Sequence, residues 1–334
     1  MTAVLFTCAG QRVDIVSAFS RAGATTVASD LDPLAPAVWH ADHRVEAPPV
    51  DDPGYVDAVA VAVAEHDVRL IVPLTDLDHL PLLRAADRID ALVLLPPEDV
   101  VRRVGDKYLA HAFFEERGIP SPPSWLPGEV PADARYPLLV KVREGFGSRH
   151  IYRAHDRPEL DFFLRYTSVD SFVQTCCSGE EFSIDVFCDL AGRCLNAIPR
   201  TMIQSKGGES IKGMTIADRD LIHFGAHVAE TLGLVGPGTI QCFREEDGRH
   251  EVTDVNPRFG GAFPLPLAAG SRYPELALTL ARGERPEPMV GEFRAGVVMT
   301  RFFSHLCLTS GDDGVLEPFA EELPEPIAGE PGDS

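Results

Sequence analysis

The chain has no apolar run near the ~18 residues that a membrane-spanning helix needs, which excludes a helical membrane protein. Its opening residues, Met1 to Phe6, carry no basic segment and read as a first β-strand, so a signal peptide is not expected. Seven cysteines, an odd number, show no repeated metal-ligand spacing, and the adjacent Cys176 and Cys177 form neither a zinc knuckle nor a redox pair. Reduced thiols in a cytoplasmic protein are the expectation. Basic residues are outnumbered, with 30 Lys and Arg against 51 Asp and Glu, and the net charge of −21 excludes the basic footprint that nucleic acid requires. From Gly311 onward there is no lysine or arginine at all. That segment, rich in Asp, Glu, Pro and Gly, is expected to be a disordered acidic tail.

What is present divides in two. Over the first hundred residues short apolar runs alternate with helical patterns. Val4 to Thr7, Val27 to Ser29, Leu70 to Val72 and Leu92 to Leu94 read as strands, and Tyr55 to Glu65 and Leu80 to Ala86 as helices. This alternation predicts a parallel sheet covered on both faces, with ligands beyond the carboxyl ends of its strands. Those ends carry Thr7 to Arg12, Asp30 to Asp32 and Thr75 to Asp78. The first turn, Cys8-Ala9-Gly10-Gln11-Arg12, lacks the Gly-x-Gly-x-x-Gly pattern of a nicotinamide site. After Lys107 the pattern becomes α+β. A helix to Arg117 is followed by strands at Leu138 to Val142, Ile151-Tyr152, Ser171 to Thr175 and Glu181 to Phe187, interrupted by a helix from Asp161 to Tyr166. An amphipathic helix spans about Ala217 to Leu232, and strands follow at Gly238 to Phe243 and Glu251 to Val255.

Four stretches carry chemistry. Asp254-Val255-Asn256-Pro257-Arg258 places two oxygen donors two residues apart, hence on one strand face. Gln241 on the preceding strand adds a third if the strands pair, a donor set that suits Mg²⁺. Arg258, past the turn at Pro257, can reach developing phosphate charge; a surface strand entering a polar turn would read the same. Lys141, ending an apolar strand before Gly145, Gly147 and Ser148, reads as a phosphate cradle or as a plain hairpin, and not as a P-loop, whose lysine follows its glycines. Along Gln174 to Asp185, main chain near Thr175, Cys176 and Cys177 can read an adenine edge and Glu181 ribose hydroxyls. An antiparallel hairpin with a solvated acidic face fits equally. Arg200 and the run Lys206 to Lys212 supply positive charge, to an anion-contacting loop or to a solvated one.

In order and spacing these elements resemble the ATP-grasp superfamily, in its branch similar to the carbamoyl-phosphate synthase large subunit. The resemblance implies a Rossmann-like pre-ATP-grasp domain over residues 1–105, a small lobe or lid over 106–189, a large catalytic lobe over 190–309 and the tail over 310–334. It implies that Lys107 and Lys141 bind ATP phosphates, that Gly145, Gly147 and Ser148 form the lid loop, and that Gln174 lies near adenine and Glu181 on ribose. Gln241, Asp254 and Asn256 would hold Mg²⁺, with Mn²⁺ as the alternative ion. Arg258, Lys141 and Lys206 would be catalytic. The chemistry implied is ATP-dependent carboxylate–amine ligation through an acyl phosphate on small amino-acid-like molecules. Arg12 and Arg200, with Lys206, are the expected carboxylate contacts, and Asp30, Asp76 or Asp78 the ammonium contact. Carboxyphosphate chemistry and a non-catalytic nucleotide switch are the alternatives, the first disfavoured because no histidine stands in the Lys206–Ile211 stretch. A homodimer is common among such proteins.

Overall fold

The N-terminal alternation folds as β1 (Ala3–Thr7), α1 (Val13–Arg21), β2 (Thr25–Asp30), β3 (His43–Glu46), α2 (Tyr55–Glu65), β4 (Val68–Pro73), α3 (His79–Arg84) and β5 (Leu92–Val93). The strands run parallel in the order β3-β2-β1-β4-β5. The central β1 is buried at every residue, as a strand covered on both faces must be. The chain moves outward from β1 to β3 and then crosses back to β4, so the strand order reverses between β1 and β4. The turns after these two strands open at that point. In this computed structural model the described residues are 1–145, 150–206, 209–311 and 315–319, without the side chains of Lys206 and Glu209. The expectations for Gly147, Ser148 and the Lys206 side chain lie outside them.

Next come α4 (Glu98–Gly105), α5 (Lys107–Glu116), β6 (Ser124–Trp125), β7 (Leu138–Val142), β8 (Tyr152–Ala154), α6 (Arg157–Tyr166) and β9 (Ser171–Thr175). They build an antiparallel sheet in the order β6-β9-β7-β8. Its core is Leu138, Val140, Ala154, Leu160 and Val173. Then follow β10 (Glu180–Cys188), β11 (Cys194–Thr201), β12 (Gln204–Lys206), β13 (Glu209–Met214), α7 (Arg219–Leu232), β14 (Gly236–Arg244), β15 (His250–Asn256), α8 (Pro264–Ala268), α9 (Tyr273–Ala281) and β16 (Val298–Thr300). A larger antiparallel sheet has the order β11-β10-β14-β15, and a small one β12-β13-β16. Asp218 caps α7 by accepting from the Leu221 amide, and Gly233, at φ +75°, ends it. Leu221, Val228 and Leu232 of its apolar stripe bury against Ile184, Val186 and Ile240, each contributing about 1.5–3 kcal/mol.

One core joins the first sheet to the end of the large one. Phe6, Phe19 and Val72 pack with Phe259, Phe263, Tyr273 and Leu276, so α9 covers the sheet face that α1 leaves open. The other face is covered by α2 and α3 through Tyr55, Val59, Val63 and Leu82. These elements form one compact unit over residues 1–301, and residues 302–334 form a second. In the second unit β17 (Leu308–Ser310) pairs with β18 (Leu316–Pro318). β18 falls within the stretch read as a tail from Gly311 onward, and its main chain pairs with β17. Residues 312–314 and 320–334 lie outside the described residues. No helix among the described residues is long and apolar enough to cross a membrane.

Candidate active site

The turns after β1 and β4, strand β7 and the sheet carrying β10, β14 and β15 enclose a cleft of about 1130 Å³. Two lysines are brought together at its wall by local chemistry. The Asp106 carboxylate caps α5 by accepting from the Tyr108 and Leu109 amides, and it also pairs with Arg143. The Lys107 amide donates to the Arg143 carbonyl at 2.9 Å, two residues past Lys141. Both ammonium groups therefore reach the cleft. The Lys107 Nζ donates to Asp254 Oδ1 at 2.7 Å, and the Lys141 Nζ to Gln174 Oε1 at 2.7 Å. Burial lowers the Lys141 pKa below the ordinary lysine value; Asp254 opposes the shift and Lys107 adds to it.

Opposite the lysines, Gln241 pairs in register with Asp254 and Thr239 with Asn256, so the three expected oxygen donors face one space. Hard oxygen donors of this kind, few in number and open to a cleft, fit Mg²⁺. One Asp254 oxygen is held by Lys107, so a cation gains that oxygen fully only when Lys107 finds another anion. Arg258 donates to Asn256 Oδ1 at 3.1 Å and, from Nε, to Asp76 Oδ2 at 3.2 Å. Glu181 on β10 lines the same cleft, and burial raises its carboxyl pKa against the opposing pull of Arg200 and Lys141.

Arg200 is 3% exposed yet lines the cleft. Its Nε donates to Asp185 at 2.8 Å, while Nη1 has no partner among the described residues. Asp185 also accepts from Thr239 Oγ1. A side chain at Gly260 would meet Thr239 Oγ1 at 2.4 Å, so only glycine lets the turn pass this buried pair. Asp185 thus positions a cleft arginine and is not on a solvated acidic face. Its alternation with Ser183 was visible in the sequence, but its partner on β11 was not.

Several residues expected to contact ligands have partners elsewhere in the structure. Gln174 is 3% exposed, and its amide accepts from Lys141 and donates to Ser124 Oγ at 2.9 Å. The Thr175 amide is spent on the Pro123 carbonyl, and Thr175, Cys176 and Cys177 are absent from the cleft lining. Burial, with Glu251 and Glu245, pushes the Cys177 thiol up to about 12. Those three residues lie close enough together to suggest a metal. Glu245 instead accepts from the Ser178 amide and hydroxyl and locks the hairpin. Arg12 reaches the cleft, but its guanidinium is committed to Asp14 and to the carbonyls of Phe259 and Gly260. Asp30 holds the first turn through the amides of Gly10 and Asp32. Asp78 is fully buried under Tyr55, which donates to it at 2.8 Å, and burial raises its pKa. Of the expected ammonium contacts only Asp76 lines the cleft.

Comparison with known proteins agrees with this layout. Residues 167–302 match the family model described as ATP-grasp in the biosynthetic pathway with Ter operon. Residues 4–92 match the PylC-like N-terminal domain. None of the curated proteins matches the chain by sequence. Among solved structures, 89% of the chain superposes on Rhizobium etli pyruvate carboxylase with a TM-score of 0.73 and 16% identity, spanning 30% of that protein. The same share superposes on the biotin carboxylase domain of Hydrogenobacter thermophilus 2-oxoglutarate carboxylase, a dimer in complex with MgADP, ADP and bicarbonate. The TM-score is 0.72 at 18% identity, over 73% of that chain. A Bacillus licheniformis L-amino acid ligase is matched over 88% of this chain and 78% of its own, with a TM-score of 0.67 and 19% identity. By sequence, residues 167–302 are similar to ATP-grasp proteins and residues 4–92 to the PylC-like N-terminal domain, and most of the chain shares the fold of the structures above.

Proposed function

We propose that the chain is a magnesium- and ATP-dependent carboxylate–amine ligase acting on small amino-acid-like molecules. The observation that carries this reading is the meeting in one cleft of Lys107, Lys141, Asp254, Asn256, Gln241 and Arg258, contributed by two antiparallel sheets and the helix before them. Lys107 and Lys141 receive the ATP phosphates, with Gly145 lining the same cleft, and Glu181 takes the ribose hydroxyls. Asp254, Asn256 and Gln241 hold Mg²⁺, which when bound offsets phosphate charge. The substrate carboxylate oxygen attacks the γ-phosphorus while the bond to the bridging oxygen of ADP breaks. Arg258 and Lys141 stabilise the charge spread over the transferring group. An amine then attacks the acyl phosphate, and phosphate and a proton leave as the amide forms. Arg200, whose buried Nη1 has no partner among the described residues, is a carboxylate anchor in this scheme. Lys206 is assigned to the same anionic region on sequence grounds. One fold neighbour is a domain dimer, and a homodimer is part of the proposal, to be read by light scattering.

ADP release across pools of amino acids, with and without bicarbonate, tests the reading. Release that needs an acid and an amine together supports ligation; release with bicarbonate alone moves the chain to the carboxylase chemistry of its fold neighbours. Asp254→Ala is expected to abolish magnesium-dependent turnover with an unchanged unfolding temperature. Wild-type turnover in that variant sinks the metal assignment.

A further inference from the structure

Among the described residues three acids line the cleft: Glu181, Asp254 and Asp76. The first two belong to the large sheet and are taken up by the ribose and cation assignments. Asp76 comes from the turn after β4, on the opposite wall, and its partner is Arg258 at 3.2 Å. The side chains are 34% and 19% exposed, so the pair faces the open cleft, and Arg258 also donates to Asn256 Oδ1 and the Phe259 carbonyl.

We infer that the Asp76–Arg258 pair is a placeholder for a zwitterion, so that the acid activated by this protein carries its own free ammonium group, recognised by Asp76. The inference rests on the ligase reading. A guanidinium and a carboxylate facing each other are complementary to the carboxylate and ammonium of one small molecule. Inserting an amino acid exchanges one ion pair for two, with no charge left alone. Inserting a simple carboxylic acid draws Arg258 away and leaves Asp76 beside a second carboxylate, a like-charge contact without compensation. Next to the pair, Leu77 is 58% exposed at the cleft, an apolar wall suited to an amino-acid side chain.

The test compares ADP release by the full chain for each protein amino acid and for its deaminated counterpart, glycine against acetate being the smallest pair, with hydroxylamine as the common nucleophile. Wild type is expected to favour the amino acid at least tenfold in kcat/KM. In Asp76→Asn that preference collapses toward one, mainly through a higher KM for the amino acid, while Mg-ATP affinity by calorimetry is unchanged; Asp76→Glu recovers part of it. A wild-type ratio near one, an Asp76→Asn ratio equal to wild type, or an equal loss for both series overturns the inference and leaves ligation standing. No release with either series, although Mg-ATP binds, overturns both.

Discussion

Gln174 offers the sharpest handle on the wall proposed to bind phosphate. Its side chain is 3% exposed and bridges the Lys141 ammonium, at 2.7 Å, and the Ser124 hydroxyl, at 2.9 Å. Lys141 is held charged by this neutral acceptor and by the more distant Asp254, against a desolvation that lowers its pKa below the ordinary 10.5. A hydrogen bond to a charged group contributes about 1.5–3 kcal/mol, so Gln174→Leu removes that much support for the ammonium. On the alkaline side this leaves roughly ten- to a hundredfold less of the charged form. If Lys141 binds phosphate as proposed, it needs the charge, so Mg-ATP affinity is expected to fall as pH rises through the lowered pKa, and Gln174→Leu to start the fall at lower pH. Gln174→Glu places a carboxylate beside the ammonium and moves the fall to higher pH. The sign for folding is opposite. With the folded pKa below the unfolded one, the unfolded chain binds more protons between the two values, so this group's contribution to stability rises with pH there. Calorimetric titration with a non-hydrolysable ATP analogue from pH 7 to 10 reads the effect. Coincident affinity limbs for wild type, Gln174→Leu and Gln174→Glu would refute the argument.

Two further substitutions separate support from chemistry. Arg12→Ala is expected to lower stability by about 2–4 kcal/mol, because the carbonyls of Phe259 and Gly260 lose a charged donor. The KM for the acid should stay within about threefold of wild type, and an unchanged melting temperature with a large rise in KM would return Arg12 to the substrate. Gly225→Ala sets a Cβ 2.5 Å from Ile184 Cγ2. Overpacking of about 1–3 kcal/mol then opposes the roughly 1 kcal/mol that alanine gains in a helix, so net destabilisation is expected. A higher melting temperature than wild type would show that α7 can move off the sheet.

The parts of this protein legible in its sequence are those whose chemistry repeats at short range. Alternation alone put Asp254 and Asn256 on one face, and the pairing of Gln241 with Asp254 follows from two adjacent apolar strands. The capped stripe of α7 was equally visible. What escaped depends on partners far away in the chain. β11 is a fully sheeted strand, but Asn196 and Arg200 interrupt its apolar run, and both are tolerated only because distant groups receive them. Arg12 and Asp30 looked like free charges because their acceptors and donors lie up to 248 residues away. The second cover of the first sheet is supplied by α9, some two hundred residues beyond the sheet it protects. One signal available in the sequence was composition by residue type. The chain holds 26 arginines and only four lysines, Lys107, Lys141, Lys206 and Lys212. Arginine keeps its charge wherever it sits, whereas a buried lysine's pKa shifts readily and its compact ammonium binds phosphate as a point charge. Lys107 and Lys141, two of these four, line the cleft, where the proposed phosphate contacts would make that difference matter. Lys141, with its lowered pKa, is where substitution by arginine should remove the alkaline fall in nucleotide affinity.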